Sequence, residues 1–166
     1  MPLRYLKSSS LERRKLQTGD IVVEISGGSP TQSTGRPVFI SDTLLKRLEF
    51  PLVASNFCRV FRPKDIVTSN FVYFWLRFLY SRDEFFQYEN GTTGIKNFAF
   101  TIFCEKYNLN LPPKKMLEKY HEFTTVILES MQSNAKESRT LGSLRDSLLP
   151  KLMRGEVRVK DVEEKI

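Results

Sequence analysis

After Pro113 the chain meets no proline until Pro150 and only one glycine, Gly142, leaving a run of three dozen residues without a strong breaker. Proline and glycine are the residues that end helices, so the run predicts a single helix of roughly 55 Å at 1.5 Å per residue. Such a helix outruns the small domain preceding it, and part of its surface is expected to meet a partner. A seam stepping by three and four passes through Leu117, Tyr120, Thr124, Ile127, Met131, Asn134, Ser138, Leu141, Arg145 and Leu148, the spacing of a coiled coil. Its centre is polar at Asn134 and Ser138, which suits a pairing with specified register better than a strong zipper. Leu117, Tyr120, Ile127, Met131, Leu141, Leu144 and Leu148 are the expected partner-helix contacts.

The residues before the helix mix strand and turn signals. Gly19-Asp20 precedes the β-branched run Ile21-Val22-Val23-Glu24-Ile25, the polar stretch 27–35 must be a loop, and Arg36-Pro37-Val38-Phe39-Ile40-Ser41 resumes a strand pattern. Residues 56–61 predict a third strand, closed by Arg62-Pro63. Thr68 and Ser69 are candidate caps for a deeply buried helix through Phe71, Val72, Phe74, Trp75, Phe78 and Leu79, with Tyr73 and Leu76 widening the apolar face. A short helical piece over 83–88 and a break at 90–94 follow. Tyr107-Asn108-Leu109-Asn110-Leu111 alternates as a strand does, and Pro112-Pro113 ends it while presetting a helix start. The expected fold class is therefore α/β in the α+β sense: a mixed small-sheet domain followed by one long C-terminal helix.

At 166 residues and 40% hydrophobic content, the chain has room for one core plus one extended element. Lys and Arg total 26 against 19 for Asp and Glu, and the net charge of +7 favours polyanions such as nucleic acid. Cys58 and Cys104 lie 46 positions apart, with His121 the single histidine, so neither a zinc site nor a catalytic dyad is expected. Both cysteines are expected to be buried thiols of a reducing, cytoplasmic compartment. No secretory or membrane-spanning segment is expected, because the most apolar run, residues 71–80, is interrupted by Arg77 and is about half of what a bilayer needs.

Three segments together are specific. They are Gly19-Asp20-Ile21-Val22-Val23-Glu24-Ile25 with Gly27-Gly28-Ser29-Pro30, then Asn108-Leu109-Asn110-Leu111-Pro112-Pro113, then Leu144-Arg145-Asp146-Ser147-Leu148-Leu149-Pro150 running on to Gly155-Glu156-Val157. This combination resembles the specificity subunits of type I restriction-modification systems. In that family a target-recognition domain leads through a Pro-Pro step into a long helix, and a full member has two of each, with the helices antiparallel as a ruler between two DNA half-sites. The resemblance implies a recognition domain over 1–111 that lacks the family's opening strand, a dimerisation or docking helix over 112–150, and a tail over 151–166. It implies a non-catalytic, sequence-specific DNA-binding module that directs separate methyltransferase and restriction subunits to double-stranded DNA. With one domain and one helix, the chain is expected to form a homodimer through the helix. The alternative is an assembly module or truncated remnant that docks a partner without reading DNA.

Reading bases requires hydrogen-bonding side chains on loops, with cations on the phosphates. The two Gly-rich loops offer Ser29, Thr31, Gln32 and Arg36, and Thr92, Thr93, Lys96 and Asn97. Candidate phosphate contacts are Arg4, Lys7, Arg13, Arg14, Lys15, Arg59 and Arg62. No catalytic residue, metal ligand or cofactor is expected. A Gly-x-x-x-x-Gly-Lys-Ser/Thr loop is absent, and His121 reads as a helix-surface residue without an ordered partner. Asn110-Leu111-Pro112-Pro113 superficially resembles the Asn-Pro-Pro-aromatic motif of amino-methyltransferases, but the inserted leucine and the missing aromatic remove its geometry.

Overall fold

The computed structural model describes residues 3–29, 31–91 and 95–156. The chain divides into two units, residues 1–121 and 122–166. In the first, helix α1, Ser8–Arg14, precedes strand β1, Ile21–Glu24. Strand β2, Ser26–Gly27, follows after one residue, then β3, Pro37–Phe39, the short helix α2, Asp42–Lys46, and β4, Cys58–Phe61. Helix α3, Ile66–Ser81, leads through a 3₁₀ turn, Glu84–Tyr88, into β5, Glu89–Asn90, β6, Lys96–Phe98, and helix α4, Phe100–Lys106. Helix α5, Lys114–Met153, closes the described chain.

The strands make two antiparallel sheets, ordered β3-β1-β4 and β2-β6-β5. Strand β1 is central because it is the most apolar: Ile21 and Val23 are fully buried. Asp20, just before it, is 1% exposed, and both its oxygens accept from Arg62, Nε and Nη2 each at 2.7 Å. A buried carboxylate is tolerated only when paired in this way. The second sheet covers a cluster of rings in which Phe85, Phe98 and Phe103 lie 5.0 to 5.4 Å apart by centroid.

The mixed fold and the long helix agree with the sequence reading, and four local expectations need correction. Helix α3 is capped by Asp65, upstream of Thr68 and Ser69; its carboxylate accepts from Thr68 N–H at 2.8 Å and from the Thr68 hydroxyl at 3.2 Å. Its buried face runs through Ser69, Asn70, Tyr73, Leu76 and Leu79, whereas Phe78 is 52% exposed. Residues 107–113 form no strand, because Pro112 and Pro113 have no N–H to give a ladder and Tyr107 stacks on Phe103 instead, at 5.1 Å. Helix α5 does not stop at Pro150 but runs a turn further to Met153. Its end is set by Gly155, at φ +72°, where Gly155 N–H donates to Leu152 O and Glu156 N–H to Lys151 O. Those two bonds are a Schellman cap.

Candidate nucleic-acid interface

Ile25 is where the chain changes sheets. Its N–H donates to Phe57 O beside β4, and its C=O accepts from Phe98 N–H of β6. The first Gly-rich loop therefore springs from the second sheet. Ser26 pairs with Asn97 and Gly27 with Lys96, so two polar loops some seventy positions apart leave the same end of that sheet.

The first loop is closed at its base by Gly35 N–H to Glu24 O, 3.0 Å, and Glu24 N–H to Arg36 O, 3.3 Å. Ser29 and Gln32 bond each other through their backbones, and Ser29 Oγ lies 3.4 Å from Thr31 Oγ1. Gln32, Thr31 and Arg36 are exposed, although the Gln32 amide already donates to Tyr80 OH at 3.0 Å. On the second loop Asn97 is exposed, while Thr92 and Thr93 lie outside the described residues. Lys96 is committed internally: its ammonium pairs with Glu89 at 2.9 Å and sits 4.6 Å above the Phe86 ring.

Glu89 is the residue that sequence reasoning missed. Its side chain is 5% exposed; one oxygen accepts from the Thr34 backbone N–H and, at 2.8 Å, from the Thr34 hydroxyl, and the other pairs with Lys96. It thereby ties the first loop to the second. Burial opposes its ionisation, but the hydrogen bonds from Thr34 and Lys96 outweigh that and hold the carboxyl below the usual glutamate range. No spacing rule links Glu89 to Thr34, 55 positions away.

Of the candidate phosphate contacts, Arg62 is spent on Asp20, which raises its already high pKa. Arg14 donates twice to Ala54 O. Arg4, Lys7, Arg13, Lys15 and Arg59 are exposed. His121 is not a bare surface residue, since Asn70 Nδ2 donates to its Nδ1 at 2.8 Å. The cysteines are not buried either: Cys58 is half-buried and Cys104 exposed. Among the described residues no cluster of three His, Cys, Asp or Glu side chains could hold a metal ion, and no helix is long and apolar enough to cross a membrane.

On the helix, Leu117 is buried and Tyr120 packs edge-on against Phe71 and Phe74 of α3. Both are used within the first unit, so they are not free for a partner helix. Leu141 and Leu144 are 57% and 52% exposed and Met131 is 40% exposed, with Ile127 and Leu148 half-buried.

The family model described as "Type I restriction modification DNA specificity domain" matches residues 10–137, and the chain belongs to that family. A relative is the "Type I restriction enzyme MjaIX specificity subunit" of Methanocaldococcus jannaschii, 35% identical over 92 residues. That match takes in 55% of this chain and spans about a fifth, 20%, of the archaeal protein. No solved structure matches the chain.

Proposed function

We propose that the chain is a DNA-reading specificity module of a type I restriction-modification system, with no catalytic step of its own, acting in the cytoplasm. The observation that carries this is the pairing of Ser26-Gly27 with Lys96-Asn97, which brings both polar loops to one end of the second sheet. Thr31, Gln32, Arg36 and Asn97 are the base-reading candidates, because Gln and Asn match the adenine edge and Arg the guanine edge in the major groove. Ser29 shapes its loop through Thr31, and Lys96 holds the second loop through Glu89. Methyltransferase and restriction subunits are the partners that such a module would bring to the chosen site. A homodimer through the apolar stretch of exposed Leu141 and Leu144 with half-buried Leu148 would supply the second half-site, giving an interrupted palindrome.

Selection of bound duplexes from a random pool, with and without a modification subunit, tests the reading function. An enriched sequence that Gln32→Ala or Asn97→Ala relaxes at one position supports it; binding that enriches no sequence overturns it. A second reading, a docking module that reads no DNA, draws on the same exposed leucines, and a stable protein complex without selected DNA would favour it.

A further inference from the structure

A cleft of about 360 Å³ in the first unit lies apart from the reading loops, and arginine dominates its lining. Arg13 and Arg14 come from α1, Arg59 from β4 and Arg62 from just beyond it, with Ser55 and Asn56 between them. Local pairing fixes the arrangement. Leu16 N–H donates to Leu52 O, Lys15 bridges to Val53, and Ala54 N–H donates to Arg14 O, so the end of α1 is laid against the residues leading into β4. Like charges brought together cost energy unless something offsets them. Asp20 compensates only Arg62. Arg13, Arg14 and Arg59 have no carboxylate within ion-pair distance among the described residues, and their only bonds are to carbonyl oxygens. Arg13 and Arg59 spend one N–H donor each on them, leaving most of each guanidinium fork unused.

The cleft is joined to the reading loops through β1: Cys58, in its wall, pairs with Glu24, two residues before Ser26, the partner of Asn97.

We propose that this cleft seats a phosphate of the DNA backbone flanking the groove that the loops enter, with Arg13 and Arg59 as its principal donors. The proposal rests on the DNA-reading function above. It assigns affinity to the cleft and selectivity to the loops, two effects that separate experimentally.

The test uses the full chain, random-sequence duplexes and a titration in potassium chloride. Arg13→Gln and Arg59→Gln are each expected to lower the slope of log affinity against log salt by about 0.9. Both should weaken random and selected duplexes by the same factor, and Arg139→Gln, in the second unit, should leave the slope unchanged. Wild-type slopes in both cleft variants overturn the cleft proposal alone, whereas a wild-type chain that binds no duplex overturns the reading on which it rests. Alkylation of Cys58 gives a second measurement on the unmutated protein: duplex is expected to slow it several-fold and to leave Cys104 unaffected. Protection by inorganic phosphate but not by duplex would make the site one for free phosphate and overturn the backbone assignment.

Discussion

Glu89 holds the loops together without touching what they would read. Buried at the junction and bonded to Thr34 and Lys96, it does from below what a disulfide does in a secreted protein. Glu89→Gln keeps the shape, removes the charge that Lys96 faces and exchanges an acceptor for an amide donor. Losing charge-assisted bonds of this kind costs about 2 kcal/mol, measurable as a lower midpoint in urea. The carboxyl is held below its ordinary value, so its contribution is fully present above the unfolded value, about 4.3. It is lost as pH falls through the lower folded value. Thermal melts between neutral pH and pH 3 should therefore show an acid-induced loss in the wild type that is smaller in Glu89→Gln. Equal loss in both would remove Glu89 from this role. Such a residue is illegible in one sequence, because a lone glutamate after an aromatic run carries no mark of the threonine it will meet. The loop residues were legible by contrast, since Gly, Ser, Thr and Asn between strand-like runs are what exposed turns are made of.

At the scale of the element, helices α3 and α5 show which signals survive reading and which do not. Thr68 and Ser69 have the chemistry of caps, but Asp65 lies three residues before Thr68, and a carboxylate at that position reaches the free N–H that a hydroxyl further along the helix does not. Asp65→Ala is expected to destabilise the domain by about 1 kcal/mol, whereas Ser69→Ala should cost less than half of that because Ser69 Oγ only returns a bond to Asp65 O. Chemical denaturation of the two variants decides between the positions. Leu152, Gly155 and Glu156, within the last segment of the resemblance, form the Schellman cap at Gly155, which ends the helix. The ten-residue seam was only half legible because spacing does not tell which stretch of a helix finds something to pack on. Leu117, Thr124 and Leu128 are buried, but past Leu128 no position of α5 is buried on any face, so the exposure of Leu141 follows from the lack of packing there rather than from the spacing.

For the whole molecule, the mixed small-sheet fold with its long C-terminal helix was readable from strand periodicity, turn signals and the lack of breakers after Pro113. The split into two small sheets was not, because it depends on a single residue, Ile25, bonding to both sides. The proposed dimer belongs at this scale. Leu141→Glu combined with Leu144→Glu places charges on exposed positions, so folding should be untouched while sedimentation changes from dimer to monomer. A wild-type chain that sediments as a monomer at micromolar concentration would leave the helix to another partner.

Gly35 gives the first loop a particular freedom. A Cβ there would lie 2.6 Å from a ring carbon of Phe85, and its φ is +92°, so this position is closed to other residues. The loop is anchored on both sides: Ser26 and Gly27 pair with β6, and Ser33 and Thr34 are buried, Thr34 against Glu89. Only the tip between these anchors is open to exchange, and replacing its exposed residues Thr31 and Gln32 should alter base preference while Thr34, Gly35 and the ring cluster beneath stay fixed.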